Sequence, residues 1–127
     1  MTNALQKYIG HKFASSEKGL HEFKCFHLAY IKALMAIAEN NAWKLVRTGD
    51  AGRPGYFQFS IFMMEPDTKK IAYIQIPDVR YSPEGWHEKI LVREAASLRD
   101  YVGGVNEFCT YDNLPETIKK IFERGTK

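Results

Sequence analysis

Between Ser16 and Asn40 core-type positions recur every three or four residues. Leu20, Phe23, His27, Tyr30, Leu34 and Ile37 form one stripe, which Phe26, Leu28, Ile31 and Met35 widen. That spacing predicts one long helix, opened by Ser15-Ser16-Glu17 and broken by Asn40-Asn41, and apolar enough to pack against more than one layer. Upstream, Asn3 and Gln6 fit a short capped helix that Gly10 ends in the left-handed conformation. Beyond Asn41 the period drops to two. Trp43 to Thr48 reads as a strand, and Gly49-Asp50-Ala51-Gly52-Arg53-Pro54-Gly55 as a loop. Tyr56 to Met64 reads as a second strand with Phe57, Phe59, Ile61 and Met63 on one face. Glu65-Pro66-Asp67-Thr68 turns the chain into a third strand, Ile71 to Ile76, whose near-continuous apolar run predicts burial on both faces.

Ser82-Pro83-Glu84 combines an N-cap hydroxyl, a proline at the first helical position and an acid near the positive end of the dipole. With Leu91, Ala95, Leu98 and Val102 on one stripe and Gly103-Gly104 as a stop, the segment is read as a helix. The rival reading makes Ile90 to Val92, within the ambiguous stretch Lys89–Val92, a strand. Val105 to Tyr111 follows as the fourth strand. Asn113-Leu114-Pro115-Glu116 caps a last helix, with Ile118, Ile121 and Phe122 inward and Lys119, Lys120 and Arg124 outward. The expectation is an α+β domain in the order αα-βββ-α-β-α. Its single mixed sheet has about four strands, the fourth parallel through a right-handed crossover, with helices packed on both faces.

At 127 residues the chain is long enough for one domain, 1–127, that needs no disulfide or metal staple. Hydrophobic residues at 45% and charged residues at 26% are ordinary globular values and exclude a disordered chain. Aromatic residues at 13% imply a well-filled core, a sticky surface, or both. No apolar run approaches the ~20 residues that span a bilayer, and the start lacks the apolar stretch of a signal peptide. Cys25 and Cys109 are too few for a disulfide framework. A cytoplasmic setting with both thiols free and buried is expected, with no membrane partner. The net charge of +3 permits a nucleic-acid partner without implying one.

From Gly52 to Phe122, a little over half of the chain, the sequence resembles the small virus-type replication-repair nuclease domains of the restriction-endonuclease-like superfamily. The resemblance rests on Gly52-Arg53-Pro54-Gly55, then Ile74-Gln75-Ile76-Pro77, then Ser82-Pro83-Glu84 with Trp86-His87 and Leu91, then Gly103-Gly104-Val105, and finally Asn113 through Phe122. It implies two carboxylates that hold magnesium and a lysine that orients water. The chain departs from that pattern at the chemistry. Gly55 stands where the aspartate belongs, Gln75 where the glutamate belongs, and Pro77 (or Ile76) where the lysine belongs. Asp50 and Asp78 are the nearby carboxylates that could replace them.

Other constellations are thinner. His21 and Cys25 share a helix face and could supply two zinc ligands, but no second pair at ligand spacing accompanies them. A Cys–His nucleophilic pair is nowhere singled out. The glycine-rich loop lacks the lysine and hydroxyl ending of a P-loop. Arg47, Arg53 and Arg80, with Tyr56, Tyr81 and Trp86 nearby in sequence, would suit phosphate contact and base stacking at one sheet edge, or a protein hot spot. The expected function is a non-catalytic binding module on a nuclease-like core, without a cofactor. It would contact nucleic acid or a nucleic-acid-handling protein, in the style of a phage or mobile-element inhibitor of host defence. Two alternatives stand beside it: a magnesium-dependent nuclease with displaced carboxylates at Asp50 and Asp78 and the neutral amide of Gln75 at the glutamate position, and a homodimeric or small-ligand-binding domain using the second strand or a Trp86–Tyr101 surface.

Overall fold

The long helix forms as its period requires. In the computed structural model, which describes residues 1–48, 57–98, 100 and 104–124, α1 is Asn3–Gln6 and α2 is Glu17–Asn40. Ser16 caps α2 by accepting the Gly19 amide on its hydroxyl at 3.2 Å. At the other end the Asn41 side chain donates to the Ile37 carbonyl at 2.8 Å, and Ala42 turns the chain with φ 57°. Five strands follow: β1 (Lys44–Thr48), β2 (Phe59–Met64), β3 (Ile71–Ile76), β4 (Ile90–Ala95) and β5 (Glu107–Cys109), before α3 (Leu114–Glu123) closes the described chain.

The domain is α+β with one sheet, as the pattern predicted. The sheet has five strands in chain order, β1-β2-β3-β4-β5, and every pair is antiparallel. The crossover helix expected after Ser82 is replaced by turns over 83–88 and then by β4. The reason lies in the spacing: Leu91 and Ala95 are four apart, which places two residues on one face of a helix and equally on one face of a strand. The intervening residues decide it. Ile90 and Val92 are buried on one side while Leu91 and Arg93 face the other, a period of two carried by β-branched residues. With β4 extended and hydrogen-bonded between β3 and β5, the fourth pairing becomes antiparallel and the sheet is no longer mixed.

The three helices also share one face instead of two. Leu5, Phe23, Phe26, Tyr30, Leu34, Leu114, Ile118 and Phe122 join Phe59, Ile61, Met63, Ala72, Ile74, Ile76, Ile90 and Val92 in one cluster. Trp86 sits in its middle, edge-on to Phe26 at 4.9 Å between ring centres, with its indole N–H donating to the Tyr8 carbonyl at 3.2 Å. The β3 run Ile71–Ile76 is accordingly not uniform: Ala72, Ile74 and Ile76 face the helices, whereas Ile71, Tyr73 and Gln75 face away.

Candidate nucleic-acid interface

Antiparallel register fixes which residues share the helix-free face. Ser60 lies beside Gln75, Gln75 beside Leu91, and Leu91 beside Phe108, a continuous row across β2 to β5. One row further along in the same alternation come Phe62, Tyr73 and Arg93. These rows differ in cover. Phe62, Tyr73 and Ala95 are buried together with Leu98 packed on them, because the chain leaving β4 folds back over this half of the face. Arg93 is buried beneath that return. Its guanidinium lies 4.3 Å from the centre of the Tyr73 ring, Nη2 donates to the Asp100 carbonyl at 2.9 Å, and Nη1 stands 3.6 Å from Oδ1 of Asp100. The other oxygen, Oδ2, accepts the Ala96 amide at 2.9 Å, so one aspartate holds both the cation and the turn.

The other half of the face is open. Gln58, Gln75, Pro77, Asp78, Lys89, Leu91 and Phe108 line a hollow of about 210 Å³. Pro77, Lys89 and Phe108 also border a wider one of about 580 Å³ that continues over Tyr81, Ser82, Glu84 and Glu88. Two aromatic side chains stand out from this surface, Tyr81 at 80% exposure and Phe108 at 64%. The floor therefore offers amide groups that both donate and accept, the rim the Lys89 ammonium beside the carboxylates of Asp78, Glu84 and Glu88, and the margins two ring faces.

The residues singled out from the sequence meet different fates. Tyr81 and Gln75 belong to the open half. Arg80 is tied down. Its Nε and Nη2 donate to the two oxygens of Asp78 at 3.1 and 2.7 Å, and its Nη1 donates to the Ser15 hydroxyl at 3.2 Å. Its plane also covers the Phe57 ring at 4.4 Å. The fork to Asp78 holds the guanidinium above its ordinary pKa, so the cation is permanent but committed. The same fork occupies Asp78, the carboxylate that the nuclease alternative needs as a displaced metal ligand. Trp86 is fully buried and offers no surface for stacking or for a dimer contact. The apolar residues of β2 likewise lie inside the sheet, which removes the second strand as an interface. Arg47 stands opposite Phe62 in the ladder. Asp50, Arg53, Tyr56 and Tyr101 lie outside the described residues.

Cys25 is exposed on α2, contrary to the expected burial, because position 25 lies on the side of the helix away from the sheet. Cys109 is half-buried, and burial pushes its thiol up, away from a reactive thiolate. Among the described residues no three His, Cys, Asp or Glu side chains stand together to hold a metal ion. Among the same residues no helix is long and apolar enough to cross a membrane.

Gln58, Lys89, Leu91 and Phe108 were missed as site residues. Lys89 and Leu91 fall within the stretch Lys89–Val92, where the helix and strand readings compete. Alternation along a strand puts the two on one face, and the register with β3 then sets Leu91 beside Gln75. Phe108 carried a signal of its own, an aromatic residue between the polar Glu107 and the half-buried Cys109 on a short strand. Comparison with protein-family models, with curated proteins and with solved structures finds no match to this chain.

Proposed function

We propose that the chain is a non-catalytic binding module whose open half-face grips single-stranded nucleic acid. The observation that carries this reading is the placement of exposed Phe108 and Tyr81 around a hollow floored by Gln58 and Gln75 and rimmed by Lys89. Aromatic rings on an antiparallel sheet stack unpaired bases, a contact worth about 1–3 kcal/mol per base and open to every base. Amide side chains can then meet base edges through both donor and acceptor, and a lysine can meet the backbone phosphate. A duplex keeps its bases stacked on each other and offers these rings nothing to stack on. No catalytic step is needed for such a grip, and the nearest carboxylate, Asp78, is already held by Arg80.

The test is fluorescence anisotropy of labelled single-stranded DNA, single-stranded RNA and duplex DNA, at low and moderate salt. Single strands are expected to bind more tightly than duplex, with an affinity that falls log-linearly with salt. Phe108→Ala should weaken binding at least about fivefold, the low end of the stacking range. Lys89→Ala should reduce the salt slope by about one. Absence of binding to either single strand at low salt would falsify the reading and transfer the same aromatic surface to a protein partner.

A further inference from the structure

Another hollow, of about 310 Å³, shares no lining residue with the open half-face. It forms where the C-terminal end of α2, the turn between β2 and β3, and the last turn of α3 come together. After α2 the chain reverses at Ala42, and the Trp43 amide donates to the Ala38 carbonyl at 2.8 Å, which sets Trp43 beside the helix end. Trp43 meets Phe122 of α3 edge-on at 5.2 Å between ring centres. Phe122 is buried, whereas Trp43 is half-buried and both rings line the space. The charge around these rings is one-sided. Asn41 caps α2, which has no basic residue in its last turn, and Phe122 and Glu123 end α3, so both helices bring the negative end of their dipole to the border. On the turn, Glu65 accepts the Asp67 amide on Oε1 at 3.1 Å, and the Thr68 amide and hydroxyl on Oε2 at 2.8 and 2.9 Å. The Thr68 and Asp67 amides hold its carboxyl below the usual range, and the same bonds fix its position before any ligand arrives.

We infer that this hollow binds a small organic cation, an amine whose ammonium group meets Glu65 while its apolar body lies against Trp43 and Phe122. Glu123 supplies a second carboxylate. Of the described residues that line the hollow, Lys119 is the one cation, and it is exposed, with a flexible stem that lets its head move into water. Lys69, Lys120 and Arg124 stand outside the lining, and Arg124 is committed to Glu107 at 2.5 Å. Oε1 of Glu65 accepts one bond among the described residues, so it has a lone pair left for an ammonium N–H. An ammonium beside an indole gains cation–π attraction as well. A bare metal ion is a poorer match. Two carboxylates on a wall of rings fall short of the six or more oxygens that a hard cation takes, and among the described residues no three metal-ligating side chains stand together. The volume lies at the small end of ligand pockets, about 300–1,000 Å³, which suits a monoamine better than a nucleotide. The inference is independent of the nucleic-acid reading, because the two surfaces have no residue in common.

Three probes with the same phenyl body test it: phenethylamine, the neutral phenethyl alcohol and the anionic phenylacetate. Each is titrated into isotope-labelled protein while the Trp43 indole N–H and the Thr68 amide are followed by NMR. Phenethylamine should shift both signals with a dissociation constant of about 1 mM or tighter. Phenethyl alcohol should bind at least about tenfold more weakly, and phenylacetate should leave both signals in place. Glu65→Gln should weaken the amine about tenfold or more. Because Glu65 also holds its own turn, two exposed positions provide a second measure: Glu123→Gln should weaken binding by up to about fivefold, and Lys119→Met should tighten it. The spectrum of each variant confirms that it folds. No movement of the Trp43 indole at about 10 mM phenethylamine overturns the inference. Equal affinity for the amine and the alcohol overturns it too, as does a Lys119→Met variant that binds the amine less tightly. Shifts confined to Phe108 and Lys89 would put the amine in the other hollow and likewise overturn it.

Discussion

The two faces of the sheet are made from the same five strands and differ in almost everything else. On the helix-covered face, Phe59, Ile61, Ile74 and Val92 meet Phe23, Phe26, Tyr30 and Trp86, and the rings of Phe59 and Trp86 meet those of the helix edge-on or tilted. The far face begins in the same way at Phe62 and Tyr73 and ends in amides, a lysine and an exposed phenylalanine. Apolar area removed from water stabilises the fold at roughly 25 cal/mol per Å². An aromatic ring left in water contributes little to that total and remains available to a ligand. The sheet thus separates the residues that hold the domain together from those that can be spent on recognition.

The sharpest way to break that contrast is to truncate one aromatic on each face. Trp86→Ala should destabilise the protein by about 3–5 kcal/mol, since it removes a fully buried ring and its hydrogen bond to Tyr8. Phe108→Ala should change stability by no more than about 0.5 kcal/mol. Urea unfolding measures both, and comparable losses would erase the distinction.

A backbone clash gives the next largest effect. A Cβ added to Gly19 would stand 1.7 Å from the Ala14 carbonyl oxygen, so the segment entering α2 must move. Gly19→Ala should cost about 1–3 kcal/mol and, because the strain falls on the covered side, leave the shape of the open half-face unchanged. Binding per folded molecule, measured by anisotropy after correcting for the unfolded fraction, checks that separation.

The smallest effect is a pH dependence that belongs to the covered side. His27 is edge-on to Phe59 at 4.6 Å, and burial holds its pKa below the ordinary 6.5. The unfolded chain therefore takes up this proton first as pH falls. The neutral side chain carries no penalty above pH 6.5, and stability declines as pH drops below that value toward the folded pKa. His27→Gln should flatten the urea midpoint over this range, whereas a slope identical to that of the wild type would assign the dependence elsewhere.

Much of the fold was legible because single signals agreed. Ser16, the run from Leu20 to Ile37 and Asn41 all point to the same helix, and the turn at Glu65–Thr68 separates two strands that do pair. The failure at Ser82–Val102 has a physical cause. Helix-cap chemistry at Ser82-Pro83-Glu84 is also turn chemistry, and a four-residue spacing satisfies both periods. Pairing with β3 and β5 then decides in favour of the strand, and that pairing is invisible to a local reading. The site suffered for the same reason. Sequence proximity grouped Arg80, Tyr81 and Trp86, but a salt bridge committed the first, the core absorbed the last, and only Tyr81 reached the surface where Gln75 and Phe108 lie. Residues far apart in sequence became neighbours through strand register, which no motif spacing records.

The hydrogen bond from Trp86 to Tyr8 joins residues 78 positions apart, and the Gly10 amide donates to the Pro83 carbonyl at 2.6 Å beside it. The sheet, by contrast, pairs every strand with its neighbour in the chain. Its hairpins can therefore zip up one after another, as local contacts form ahead of distant ones. During synthesis Tyr8 and Gly10 leave the ribosome well before Trp86 and Pro83, and are then among the last residues of the domain to find their place. They wait for the indole on which they close, and until it emerges the aromatic side of the sheet stands uncovered at that end.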